Sequence, residues 1–62
     1  MRSREVIKLI EKAGWCEVRQ TGSHKHFRHP TLPGTATVPH PKADLPTGTL
    51  KSISKQTGVP LP

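Results

Sequence analysis

The apolar residues in the first part of the chain recur at the spacing of one helical face. They are Val6, Leu9, Ile10 and Ala13. This i, i+3, i+4, i+7 pattern predicts a helix with a single buried stripe. Ser3 stands where a side chain can cap the helix, and Gly14 stands where the helix is expected to end.

A second helix is predicted near the other end of the chain, from near Thr47 to just before Gly58. Its apolar residues Leu50 and Ile53 are expected to face the core. Because this stripe is short, the helix adds only a few side chains to a small core.

Between the helices the pattern changes to alternation, which is typical of strands. The first strand is predicted from Trp15 to Gln20, with Cys16 and Val18 on a half-buried face. On this interpretation Cys16 is a small buried hydrophobic residue rather than a nucleophile. Residues 21–23 then form a turn.

The second strand is predicted over residues 24–28. Phe27 faces the core in this prediction. Because successive side chains of a strand point to opposite faces, His24, His26 and Arg28 share the other face.

A third strand is predicted from Thr35 to Val38, so the element order is α-β-β-β-α. Each helix has one apolar stripe and the sheet has one apolar face. We therefore expect an α+β fold, in which a three-stranded antiparallel sheet carries two helices on one face. Residues 1–62 are expected to form a single small domain.

The formal net charge of +6 on 62 residues defines the class of partner. Nucleic acid is favoured, and an acidic protein is compatible with it. A membrane partner is not expected, because no apolar run can cross a bilayer and both aromatic residues, Trp15 and Phe27, lie outside the predicted helices. A lone Cys16 without a signal-peptide pattern indicates a cytoplasmic protein.

Residues 21–29 carry three of the four histidines directly after a glycine–serine turn. Histidine exchanges protons near neutral pH, and the neighbouring Lys25 and Arg28 suit a phosphodiester. RNA supplies its own 2′-hydroxyl nucleophile, so a histidine and a few cations can cleave it without a metal. A metal-dependent nuclease needs converging carboxylates, and the chain has only four acidic residues. We therefore expect no metal and no other cofactor.

Five short motifs of the chain occur in the order found in a known family. They are Gly14-Trp15, Arg19-Gln20-Thr21-Gly22-Ser23-His24, Phe27-Arg28-His29-Pro30, Val38-Pro39-His40-Pro41 and Gly48-Thr49-Leu50-Lys51-Ser52-Ile53. In these motifs the chain resembles the HicA toxin family, the mRNA interferases of HicA/HicB type II toxin–antitoxin systems. The resemblance implies a double-stranded-RNA-binding-domain-like fold and metal-free cleavage of mRNA. Ser54 stands where the family commonly has an apolar residue, so we expect it to thin the core.

The resemblance also implies which residue is catalytic. His24, the histidine of the family's Gly-Ser-His motif, is expected to be the catalytic general acid/base. From the chemistry of the residues themselves, we expect the substrate to contact Gly22, Ser23, Lys25, His26 and Arg28, with His40 as a further candidate. The residues alone leave other roles open, because His24 can also cap a turn, His26 can be auxiliary, and exposed cations are often only solvated.

The expected partners are mRNA and a HicB-like antitoxin that forms a complex with the toxin and covers its active site. Two other functions fit the same residues. A fold of this kind can bind RNA without cutting it, and an inactive toxin remnant can persist as a partner of its antitoxin. His24 separates the alternatives, because binding alone does not require it.

Overall fold

The computed structural model describes residues 1–62. Its elements are α1 (Ser3–Lys12), β1 (Cys16–Thr21), β2 (His24–Arg28), β3 (Ala36–Pro39) and α2 (Thr47–Thr57). These bounds confirm the predicted α+β class and the α-β-β-β-α order. None of the helices is long and apolar enough to span a membrane.

The first turn of α1 differs from the prediction in one respect. Arg2 occupies the cap position, and its backbone N–H donates to the Glu5 carboxylate at 2.9 Å. Ser3 is therefore not the cap but the first helical residue, and it is 1% exposed. Its hydroxyl oxygen accepts from the backbone N–H of Lys42 at 3.0 Å. The side chain thus joins the start of α1 to the segment after β3.

The buried stripe of α1 is narrower than the sequence pattern suggests. Val6 and Ile10 are fully buried, whereas Leu9 is 38% exposed and Ala13 is also exposed. Expecting Leu9 and Ala13 in the core was therefore wrong. The buried side of α1 consists of Ser3, Val6 and Ile10, and Ile7 packs against the core from its margin.

The sheet is antiparallel in the order β1-β2-β3. Phe27 of β2 lies opposite Ala36 of β3, and these two residues are buried together with Val38. Val6 and Ile10 from α1 join them in one core cluster. The cluster also contains Leu50 and Ile53 from α2, and Leu45 from the segment before it. Both helices therefore pack on the same face of the sheet, as predicted.

Every residue of β1 is exposed, which contradicts the predicted half-buried face. Cys16 is exposed and Val18 is 53% exposed. The register explains the error, because Glu17 lies opposite the buried Phe27, and an irregularity between Glu17 and Arg19 interrupts the alternation. The apolar contribution from this region comes instead from Trp15, which precedes the strand and is 1% exposed.

α2 ends as predicted, just before Gly58, which adopts a left-handed conformation with φ of 74°. Val59 and Leu61 beyond it pack against the core. Ser54 is half-buried, and its hydroxyl donates to the backbone oxygen of Val59 at 2.7 Å. This polar residue therefore holds the last segment against the helix where an apolar side chain would only fill space.

Candidate active site

A tight turn joins β1 to β2 and places His24 at the start of β2. Gly22 has φ of 57°, and no atom lies within 4 Å of where its Cβ would be. The backbone conformation, rather than a lack of space, therefore favours glycine here. The Gln20 side-chain amide donates to the Gly22 oxygen at 2.9 Å and closes the turn.

Three of the four imidazoles make hydrogen bonds that belong to the fold. His26 bonds to Thr37, His29 to the backbone of three residues, and His40 to Ser3. His24 is exposed, and its imidazole takes no part in the side-chain hydrogen bonds of the structure. It is therefore the one histidine whose two ring nitrogens are both free for a substrate.

His29 links the end of α1 to the loop after β2. Its Nε2 lies 2.9 Å from the Ala13 oxygen, while its Nδ1 accepts from the backbone N–H groups of Thr31 and Leu32 at 3.1 and 3.2 Å. This pattern fits a neutral ring with the proton on Nε2. The same ring approaches Gly14, where a Cβ would lie 2.7 Å from Nε2. His29 is thus a structural residue.

His26 is half-buried on β2. Its Nδ1 lies 3.0 Å from Thr37 Oγ1, across the strand pair, and its Nε2 is buried without a partner. The neighbouring strand places Arg19 opposite it. His26 and Arg19 share a face of the sheet with Thr21, His24 and Arg28, the face opposite to that of the buried Phe27. We term it the open face.

The two cations predicted to contact the substrate occupy different environments. Lys25 Nζ lies 3.0 Å from the Glu17 carboxylate and is opposite the buried Val38, so it belongs to the helix side of the sheet. Arg28 is exposed on the open face, four residues along β2 from His24. At about 3.3 Å per residue this separation is roughly 13 Å. The structure therefore does not gather Lys25 and Arg28 around His24.

His24 lines a groove of about 310 Å³ beside α2. The other lining residues come from β3 and from one side of α2, and most are small and polar: Thr37, Pro39, Gly48, Thr49, Ser52, Ile53 and Gln56. The sequence contains a signal for this groove, because Thr49, Ser52 and Gln56 have helical spacing next to the apolar stripe. No three side chains among the histidines, the cysteine and the acidic residues converge.

Comparisons with known proteins identify the fold and its family. The family described as the HicA toxin of bacterial toxin–antitoxin systems matches residues 3–59. The chain belongs to the HicA toxin family. A search of curated proteins finds no match.

A solved structure described as the HicA3 and HicB3 toxin–antitoxin complex contains a similar chain. It is 33% identical, the match covers 100% of both chains, and the TM-score is 0.78. The resemblance inferred from the five motifs is thus confirmed at the level of the family, and the HicA match spans every element from α1 to α2.

Proposed function

We propose that this HicA-family toxin is an endoribonuclease that cleaves mRNA without a metal and uses His24 as general acid/base. The observation that carries the proposal is the difference among the four histidines. Three imidazoles hold the fold together, whereas His24 is exposed, unbonded and beside an open groove. A proton-transfer catalyst needs such an accessible ring nitrogen.

The chemistry assigned to His24 is removal of the proton from the 2′-hydroxyl of RNA. The 2′-oxygen then attacks the adjacent phosphorus, and the bond from phosphorus to the 5′-oxygen breaks. The imidazolium or water protonates the leaving 5′-oxygen. Cations of the protein stabilise the additional negative charge on the phosphate in the transition state. The products are a 2′,3′-cyclic phosphate and a 5′-hydroxyl.

The carboxylates support the metal-free assignment, because most of them are engaged in the fold. Glu5 accepts the Arg2 N–H, Glu17 pairs with Lys25, and Asp44 pairs with the amino group of Met1. These side chains belong to three separate parts of the structure. A metal-dependent mechanism would instead need several of them around one ion.

The proposed partners are mRNA and a HicB-like antitoxin. The similar solved structure is described as a toxin–antitoxin complex, and this chain has the net positive charge that an acidic partner would recognise. We assign the antitoxin to the open face and the groove beside His24, where it would exclude RNA. The complex would then be inactive by direct occlusion.

The test uses purified toxin, free of antitoxin, and an end-labelled single-stranded RNA in excess EDTA. We expect cleavage to persist and the upstream fragment to end in a 2′,3′-cyclic phosphate. A matched RNA with one 2′-deoxy nucleotide at the cut site should resist cleavage there. Dependence on Mg²⁺, or cutting at the deoxy position, would refute the mechanism. RNA binding with no cleavage would favour a non-catalytic RNA-binding module.

A further inference from the structure

A second groove, of about 380 Å³, lies between the start of α1 and the segment after β3. Its lining residues include Arg2, Arg4, His40 and Lys42, and we term it the cationic groove. We propose that it binds a phosphate of the RNA backbone next to the phosphate on which His24 acts. This inference rests on the proposed function and assigns part of the substrate path.

The cationic groove carries charge that the protein itself does not balance. No aspartate or glutamate lines it. The ion pairs of the structure join Met1 to Asp44 and Lys25 to Glu17, so neither involves Arg2, Arg4 or Lys42. Two guanidinium groups and an ammonium around one depression attract an anion with several oxygens, and arginine binds phosphate in a bidentate manner.

The groove is also held in shape by a buried polar network. Ser3 is 1% exposed, and its backbone N–H donates to the Lys42 oxygen at 3.0 Å while its hydroxyl oxygen accepts from the Lys42 N–H at 3.0 Å. The same hydroxyl lies 2.8 Å from His40 Nδ1. Nε2 of His40 is therefore the ring nitrogen left for a ligand.

Two of the backbone N–H groups at the start of α1 are already engaged within the fold. The backbone N–H of Arg2 already donates to Glu5, and that of Ser3 donates to Lys42. We therefore assign the binding of the phosphate to the three cations and His40, and not to the helix dipole.

The position of the groove relative to His24 favours RNA as the ligand. The His40 N–H donates to the Ser23 oxygen at 2.7 Å, and His24 lies opposite Pro39 in the sheet. His40 therefore contacts the residue before His24, and His24 pairs with the residue before His40. Both histidines lie where β2 begins and β3 ends. An RNA strand that places one phosphate at His24 can place an adjacent phosphate among the cations.

The test measures RNA affinity in the His24→Ala protein, which leaves the substrate intact. One variant carries Arg2→Gln and Lys42→Gln. Its control carries Lys8→Gln and Lys51→Gln, which remove the same charge from exposed helical positions outside both grooves. Affinity for a labelled single-stranded RNA is measured as a function of salt concentration, and thermal melting establishes that both variants fold.

We expect the groove variant to lose about tenfold in affinity and its salt slope to fall by roughly 0.7 for each lost phosphate contact. The control should remain within about twofold, because distant exposed charges are screened at physiological salt. Equal losses in both variants would overturn the proposal, because the charge would then act only through the net field.

The experiment distinguishes failure of the phosphate site from failure of the proposed ribonuclease function. If the wild-type protein cuts RNA through His24 while the groove variant binds and cuts like its control, the function stands and the phosphate site is wrong. If the groove variant keeps its RNA affinity but loses antitoxin binding, the groove is a protein contact and the assignment to RNA is overturned. Failure of the wild-type protein to cut RNA would refute the proposed function without affecting the affinity measurement.

Discussion

The four histidines show how far the role of one residue type depends on its surroundings. His29 is fixed by hydrogen bonds at both ring nitrogens. Its ring also packs against that of Trp15, with 5.4 Å between the ring centroids and an interplanar angle of 59°. His24 has no such contacts. The same imidazole therefore stabilises the fold in one place and is free for chemistry in another.

Replacing His29 by alanine should destabilise the protein. The variant loses the bonds to Ala13, Thr31 and Leu32 and the contact with Trp15. Hydrogen bonds of this kind contribute about 0.5–1.5 kcal/mol each, so we expect a loss of about 1–3 kcal/mol, which thermal unfolding will measure as a Tm lower by roughly 4–8 °C per kcal/mol. His24→Ala is the matched control and should leave Tm nearly unchanged. Equal melting temperatures for the two variants would contradict the structural role of His29.

At the scale of elements, the two outer strands of the sheet differ in how much they contribute to the core. Val38 of β3 is fully buried, whereas Val18 of β1 is 53% exposed. Helices cover β2 and β3 along the core, but β1 has an exposed side chain at every position. Stability should therefore depend on β3 far more than on β1.

The same substitution at these two valines tests this difference. Val38→Ala should lower the free energy of unfolding by about 1–3 kcal/mol, because it removes buried methyl groups and leaves a cavity. Val18→Ala should change it by less than about 0.5 kcal/mol, as for other exposed sites. Urea denaturation measures both values. A large loss at Val18 would mean that β1 has a covered face after all.

The sequence predicted the elements where a hydrophobic pattern matched a regular backbone. β2 has its predicted bounds, and α2 begins at Thr47 and ends before Gly58. The half-buried face predicted for β1 does not exist, because the irregularity between Glu17 and Arg19 breaks the alternation on which the prediction depended. A bulge of this kind leaves no clear mark in the sequence.

The candidate site was predictable only in part, because residues close in sequence are not always close in the fold. His24 was singled out by its match to the Gly-Ser-His motif of the HicA family, and the structure leaves it free and exposed. Proximity in sequence, however, suggested Lys25 as a neighbour, although alternation in a strand sends it to the other face, where it pairs with Glu17. Arg2, Arg4 and Lys42 are distant in sequence from His24, so only the fold brings their groove close to it.

At the scale of the whole molecule, a small core and a strongly basic surface occur together. Nine hydrophobic residues form the buried core, and the formal charge is +6. The self-repulsion of such a chain opposes the compact state. A partner that neutralises the charge should therefore stabilise the protein as well as block it.

A HicB-like antitoxin should raise the Tm of the toxin and compete with RNA. A ligand present at 100 times its Kd stabilises a folded protein by about 2.7 kcal/mol. Melting of the free toxin and of the complex measures the first effect, and displacement of labelled RNA from the His24→Ala toxin measures the second. Hydrogen exchange should show protection at residues 22–28 in the complex. If these residues stay exposed in an inactive complex, inhibition is allosteric rather than by occlusion.

The central claim is that His24 is the catalytic residue, and its most direct test is the cleavage rate of free toxin carrying His24→Ala. The control is Thr21→Ala, which alters the residue paired with His24 on the open face and keeps the imidazole. We expect His24→Ala to lower the rate by about 10²- to 10⁴-fold, as for the loss of a general acid/base, with RNA affinity and Tm retained. Thr21→Ala should stay within a few-fold of the wild type. Cleavage by His24→Ala at the wild-type rate would contradict the account.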